Sequence, residues 1–335
     1  MIEFKKITEN LVEENKLLNN NIKMNSEISQ IIKKDIPLNI NIFDFYDTVV
    51  SIKSIGDICN GWEVKMNERL KNNYDKFKNE KNIKIGVIGN SNKGKSFLLS
   101  KISKSFLPSG SSIRTEGLSF KYPDLEKCKD KNIILIDSAG LETPVLQESK
   151  PFNNDIEKGE ENIQNQKDNK NSREDFKEKS REKLITELFL QNYIINNSDI
   201  LLIVVGILTY SEQKLINKIK ALQKNNKKKL FIIHNLMTFT LKEQVEEYIN
   251  ECLLKSVTFT LEEGNKTSTK ANSIDGKYFY EKNVGQKIFH LIYANEGSEA
   301  GKYYNKFTLD YLENSYQDII DIKPFDVIET IKNRF

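Results

Sequence analysis

The spacing of apolar residues changes character along the chain. Over residues 1–35, Ile7, Leu11, Leu18, Ile28 and Ile32 fall near one face of a helix, with charged or Asn residues filling the rest. Glu14, Asn21 and Asn25 interrupt the heptad seam. The segment therefore reads either as an amphipathic helix docked on its own domain or as a short coiled coil. Pro37 ends it, and a second helical stretch is expected over about 61–80. Beyond it the pattern becomes a series of short unbroken apolar runs: KIGVIG (84–89), NIILID (132–137), ILLIVVGIL (200–208), KLFIIH (229–234) and IFHLIYA (288–294). Helical segments lie between most of them, at 95–104, 176–197, 211–224 and 241–254, with a last helix at about 298–320. Continuous apolar strands alternating with helices predict an α/β domain with a mostly parallel sheet covered on both faces.

Two stretches break this rhythm. Residues 147–178 are almost free of apolar side chains and are expected to form a disordered insertion. Residues 258–284, with clustered Thr, Gly, Asn and Ser, read as a loop with a small hairpin. The expected organisation is an N-terminal helical segment over 1–80, the α/β domain over 81–321 and a tail over 322–335. Trp62, the only Trp, is placed as the anchor of the N-terminal helices on that domain.

Composition narrows the function classes. The 335 residues carry a formal net charge of +3, too small an excess for non-specific nucleic-acid binding as the main task. The basic run KNNKKK (224–229) reads as a solvated loop. Cys59, Cys128 and Cys252 are far apart and give neither a disulfide framework nor zinc spacing, so a reducing compartment is expected. The N-terminus lacks an apolar stretch of signal-peptide length, and the longest apolar run, Ile200 to Leu208, is too short to cross a bilayer. Together these predict a soluble cytoplasmic protein.

Chemistry enters with Gly89-Asn90-Ser91-Asn92-Lys93-Gly94-Lys95-Ser96, which fits G-x-x-x-x-G-K-[ST] between an apolar strand and an apolar-faced helix. Such a loop wraps a phosphate chain with backbone N–H groups, and the helix that follows points its N-terminus at the anion. Gly89, Asn92, Lys93, Gly94, Lys95, Ser96 and Phe97 are thus the candidate phosphate-side residues, with Lys95 neutralising the β- and γ-phosphates. Ser96 is a candidate Mg²⁺ ligand. Thr115 lies 20 residues after Lys95 in a polar Gly/Ser stretch, and Asp137-Ser138-Ala139-Gly140 closes the strand NIILID. Thr115 can offer its hydroxyl to Mg²⁺, Asp137 can hold the ion through water, and the Gly140 N–H can meet the γ-phosphate. Lys95, Thr115 and Gly140 are accordingly the candidate catalytic groups. Loops that order around a terminal phosphate and relax on hydrolysis form a switch.

GNSNKGKS, GSSIRTEGLSF with Thr115 and Gly117, and DSAGLE at 137–142 make the chain similar to the dynamin-like large GTPases, most closely the guanylate-binding protein and atlastin branch. The resemblance implies a P-loop G domain that binds GTP with Mg²⁺, hydrolyses it and forms a homodimer across its nucleotide face. Departures qualify it. The P-loop lacks the Arg of that branch, leaving Lys93 as the available charge, and Leu141 rather than Gln follows Gly140. The large helical stalk of that superfamily is largely absent, so membrane fusion or scission does not carry over.

The base half of the site is weaker. FIIHNLMTF (231–239) retains Asn235 but sets Leu236 and Thr238 where Asn-Lys-x-Asp has Lys and Asp. Asn235 can bond the base edge or tie the loop to the P-loop, and the loop YANEGSEAGK (293–302) offers a second base contact, in which Ala294, Asn295 and Ser298 can present backbone N–H groups to the guanine carbonyl. His290 is read as a core histidine. Three functions remain: a GTP-hydrolysing switch, a nucleotide-binding scaffold with little turnover that recruits a protein partner through its N-terminal helices, and an ATP-using P-loop enzyme.

Overall fold

The computed structural model describes residues 45–52, 54–67, 71–107, 115, 117–122, 132–143, 145, 161–223, 228–256, 273–274, 278–283, 286–320 and 322–333, with side-chain surroundings left undescribed at some of them, 161–174 included. The chain divides into residues 1–41 and 42–335. All described residues belong to the second unit, so the helix expected over 1–35 lies outside them, as do residues 147–160 of the expected insertion.

In chain order the elements are β1 (Thr48–Ser51), α1 (Ile55–Cys59), β2 (Glu63–Met66), α2 (Lys71–Phe77), β3 (Asn82–Ile88), α3 (Lys95–Ser103), β4 (Leu118–Lys121), β5 (Asn132–Ser138) and α4 (Glu161–Asn197). They continue with β6 (Ile200–Val205), α5 (Tyr210–Gln223), β7 (Lys229–Leu236), α6 (Lys242–Tyr248, extended by a π-helical turn Ile249–Leu253), β8 (Ser273–Ile274), β9 (Tyr278–Asn283), β10 (Gln286–Ala294), α7 (Glu299–Gln317) and α8 (Val327–Lys332).

The strands form one sheet in the order β2-β1-β4-β5-β3-β6-β7-β10-β9-β8. Its centre, β5-β3-β6-β7-β10, is parallel throughout. β3 and β6 are buried at every position, as strands covered on both faces must be. One apolar layer includes Leu190 and Ile194 of α4 with Ile216 and Ile219 of α5. The other includes Leu98 and Leu99 of α3 with Leu312 and Tyr316 of α7. The expected fold class is therefore what forms: a mixed α/β sheet with helices on both faces.

Four expectations need correction. The stretch 61–80 is not one helix: β2 occupies Glu63–Met66 before α2 begins. β1 pairs antiparallel with both β2 and β4, so this part of the expected N-terminal segment extends the sheet, and Trp62 packs against the core layer next to α4 and α5. Helix α4 begins at Glu161, inside the stretch expected to lack order; its Glu, Gln and Lys residues are poor at burying surface but good at forming helix. The tail is also built in, with Phe325, Val327 and Ile331 buried and the Tyr74 hydroxyl donating to Asp326 at 2.8 Å.

Candidate functional site

The sheet places the site. β3 lies between β5 and β6, so the strands that follow it are laid down on opposite sides of it, and in open α/β sheets the crevice at the carboxyl ends of strands at such a switch point is where ligands bind. The loops after β3, β5, β6 and β7 all contribute to a cleft of about 770 Å³. Its lining includes Ser91 to Phe97, Thr115, Ser138 to Gly140, Gly206, Ile207, Asn235, Met237 and Thr238.

The P-loop is stitched to the loop after β5. The Ser91 amide donates to Leu141 O at 2.8 Å and the Leu141 amide to Gly89 O at 3.3 Å. Asn92 has a φ of 60° and Gly94 of 80°, both left-handed, and Gly94 caps α3. A Cβ at Gly94 would stand 2.2 Å from Asn235 Nδ2, so close approach as well as backbone conformation demands glycine there. The Lys95 side chain is buried and its ammonium donates to Asn90 O at 3.1 Å. Burial pushes the Lys95 pKa below its ordinary value, and Asp137 offsets part of that shift.

Ser96, Thr115 and Asp137 converge. Ser96 Oγ donates to Asp137 Oδ2 at 2.6 Å, Thr115 Oγ1 stands 3.3 Å from Ser96 Oγ, and Thr115 Oγ1 donates to the same Oδ2 at 3.5 Å. Two hydroxyls and a carboxylate make an all-oxygen donor set that suits a hard divalent cation. Gly140 faces the P-loop so closely that a Cβ there would lie 2.6 Å from Ser91 Cα and 3.0 Å from Lys95 Nζ.

On the base side, one of the two expected uses of Asn235 is present. Asn235 acts as a tie, donating from Nδ2 to Lys93 O at 2.8 Å, while its Oδ1 is buried without a hydrogen-bond partner. Asn295 is not in the cleft lining: its Nδ2 donates to Met237 O at 2.7 Å, and its carbonyl accepts from Ser298 Oγ at 2.7 Å. Its backbone amide, the group expected to meet the base, donates to Phe239 O at 3.3 Å, so Asn295 supports the turn carrying Met237 and Thr238. The Lys93 ammonium is also engaged, 2.9 Å from the buried Glu212 carboxylate. That pairing takes it from the role of a phosphate-directed charge in this conformation. Phe97 lies edge-on to Tyr293, with centroids 5.8 Å apart, beneath the Lys101 ammonium.

Several residues escape motif reading. Glu212 accepts from the amides of Gly206 at 3.1 Å and Thr209 at 3.0 Å. Thr209-Tyr210-Ser211-Glu212 is a legible capping-box sequence, and its reciprocal bond, Glu212 N to Thr209 Oγ1, is present at 3.4 Å. Its second task, holding Lys93, has no sequence signal. Ser211 joins Glu142 to α5, donating at 2.6 Å to Oε1 with Oε2 at 2.7 Å. Lys183 of α4 donates to both oxygens of Thr143. Tyr46, in a stretch without a motif, donates its hydroxyl to Asp137 Oδ2 at 2.7 Å.

Fold and site together define a P-loop GTPase-type G domain. Residues 84–236 match the family model described as a 50S ribosome-binding GTPase. A Dictyostelium discoideum protein named as a heat shock protein is 24% identical over 330 residues, covering 90% of this chain and 45% of that protein. The chain thus spans less than half the length of that relative. Among solved structures, an Aquifex aeolicus Era variant bound to GDP.AlF4- shares 14% identity over 72% of this chain and 58% of its own, with a TM-score of 0.38. The G domain of the T. maritima FeoB iron transporter shares 12% identity over 69% of this chain and 99% of its own, with a TM-score of 0.32. The GTPase model covers less than half of the chain, and its match is one step coarser than the guanylate-binding resemblance. Among the described residues, no helix is long and apolar enough to cross a membrane.

Proposed function

We propose that the domain is a Mg²⁺-dependent, GTP-binding and GTP-hydrolysing switch. The observation that carries this reading is the convergence of Ser96 and Thr115, which line the P-loop cleft, on Asp137, which is buried behind them. Those residues would hold Mg²⁺, with Asp137 in the outer shell; when bound, the ion neutralises charge on the phosphate oxygens. Lys95 and the amides of residues 92–96 hold phosphate. The Gly140 amide senses the γ-phosphate, and backbone groups around Thr115 and Gly140 place the attacking water, because Leu141 supplies no side-chain clamp.

Guanine is proposed over adenine on the strength of the GTPase match, against Thr238, which cannot supply the carboxylate that pairs with guanine N1 and N2. Dimerisation across the nucleotide face, in the guanylate-binding manner, draws support from Ile207 in the cleft lining and Tyr210 just beyond it, both exposed. A second reading, a scaffold that binds nucleotide with little turnover, is favoured by the engagement of Lys93 with Glu212. Lys95→Ala tests what both share: triphosphate binding, measured by calorimetry, should be lost, and unchanged affinity would remove the basis of the proposal.

A further inference from the structure

Tyr46 lies outside the residues that match the GTPase family model, in the turn leading into β1. Its side chain is nevertheless 1% exposed and sits in the core layer shared with Leu98 and Leu99 of α3. Its hydroxyl reaches Asp137 Oδ2 at 2.7 Å, the oxygen that also accepts Ser96 Oγ at 2.6 Å. Asp137 Oδ1 accepts the Ser138 amide at 2.9 Å. Both carboxylate oxygens are therefore held, and Tyr46 supplies a restraint from outside the P-loop and the loop that follows β5.

The route by which Tyr46 arrives is firm. The amide of Asp47 donates to Phe120 O at 3.0 Å, and its carboxylate accepts from the Tyr122 amide at 2.9 Å and pairs with Lys121 at 3.3 Å. All three partners belong to β4 or the residue after it. β4 in turn pairs with β5, where Ser119 faces Asp137. The residues leading into β1, a strand held between β2 and β4, thus deliver a phenol to the carboxylate of the candidate cation site.

We propose that Tyr46 is a positioning residue for the divalent cation that accompanies the nucleotide: its hydroxyl fixes the orientation of Asp137 and so sets how tightly the Ser96–Thr115–Asp137 oxygen set holds Mg²⁺. The inference rests on the nucleotide-binding reading above and goes beyond it. Removing an outer partner of a metal-holding group typically lowers metal affinity by about 10- to 100-fold. Phenylalanine at this position keeps the ring and its packing while deleting the donor.

The test is the dissociation rate of a fluorescent GDP analogue from the full chain, followed from EDTA to millimolar Mg²⁺. Tyr46→Phe should raise the Mg²⁺ concentration at half-effect by about tenfold or more and leave the EDTA rate within about twofold of wild type. In an Asp137→Asn background the same change should add nothing, because Tyr46 acts through that carboxylate. Thermal midpoints in EDTA confirm that each variant is folded. An unchanged Mg²⁺ midpoint, an equal shift with and without the ion, or an additive effect in the Asp137→Asn background each overturns the role of Tyr46. Wild-type protein that binds no analogue at any Mg²⁺ concentration overturns the nucleotide reading itself, and this inference with it.

Discussion

Individual residues in the cleft are constrained by distance more than by charge. Gly140 is a case in point, because a Cβ there would be 2.6 Å from Ser91 Cα and would push the P-loop and the loop after β5 apart. Misplacing catalytic groups by about 1 Å can cost roughly 100-fold in rate. Gly140→Ala is therefore expected to lower GTP turnover by about 100-fold and to erase most of the preference for triphosphate over diphosphate; phosphate release and competition binding measure the two. The phosphate side was legible in the sequence for the same reason. A loop that wraps phosphate with backbone amides needs its glycines, Lys95 and Ser96 at fixed contiguous spacing. The base side was less so: the tie from Asn235 to the P-loop was one of two readings left open, and the bond from Asn295 to Met237 O is a choice that its identity does not reveal.

At the scale of elements, two ties hold the cleft loops to the rest of the fold. Lys183 of α4 grips Thr143 and Ser211 of α5 grips Glu142, so the residues after Gly140 are fastened to two helices. The second tie is inside the sheet. His234 of β7 lies between Tyr248 Oη at 2.8 Å from Nδ1 and His290 Nδ1 of β10 at 3.0 Å from Nε2, and Tyr248 Oη also accepts the Leu208 amide at 3.2 Å. Burial, and then the neighbouring His290, hold the His234 pKa well below its ordinary 6.5. The unfolded chain binds this proton more readily than the folded one. The stability contributed by neutral His234 is thus fully present above about pH 6.5 and is lost as the pH falls below it, at about 1.4 kcal/mol per pH unit. Urea unfolding between pH 8 and pH 5 should show that slope in wild type and a shallower one in His234→Leu; equal slopes would remove His234 as the cause.

The elements that escaped sequence reading did so for physical reasons. β1 and β2 are only four residues each, too short to display a period, and the pairing of β1 with β4 is non-local. The central strands were legible because burial on both faces leaves unbroken apolar runs. Helix α4 was cut short because counting apolar residues measures burial and not helix propensity.

For the whole molecule, the question is whether a G domain with an apolar Leu141 and an engaged Lys93 turns over GTP alone or only against a second copy. The exposed side chains of Ile207 and Tyr210 at the nucleotide face support the second alternative. Specific GTPase activity should then rise with protein concentration, and Tyr210→Ser should weaken that dependence. Specific activity independent of concentration indicates a monomeric enzyme, and negligible turnover at every concentration indicates the scaffold.

The central claim is that the P-loop cleft binds a guanine nucleotide through Lys95. Calorimetric titration of GTP into wild type and Lys95→Ala in the presence of Mg²⁺, repeated with ATP as competitor, addresses it most directly. The account predicts saturable GTP binding by wild type, little displacement by ATP and no measurable binding by Lys95→Ala. Equal GTP affinity in the two proteins, or displacement of GTP by lower concentrations of ATP, would contradict it.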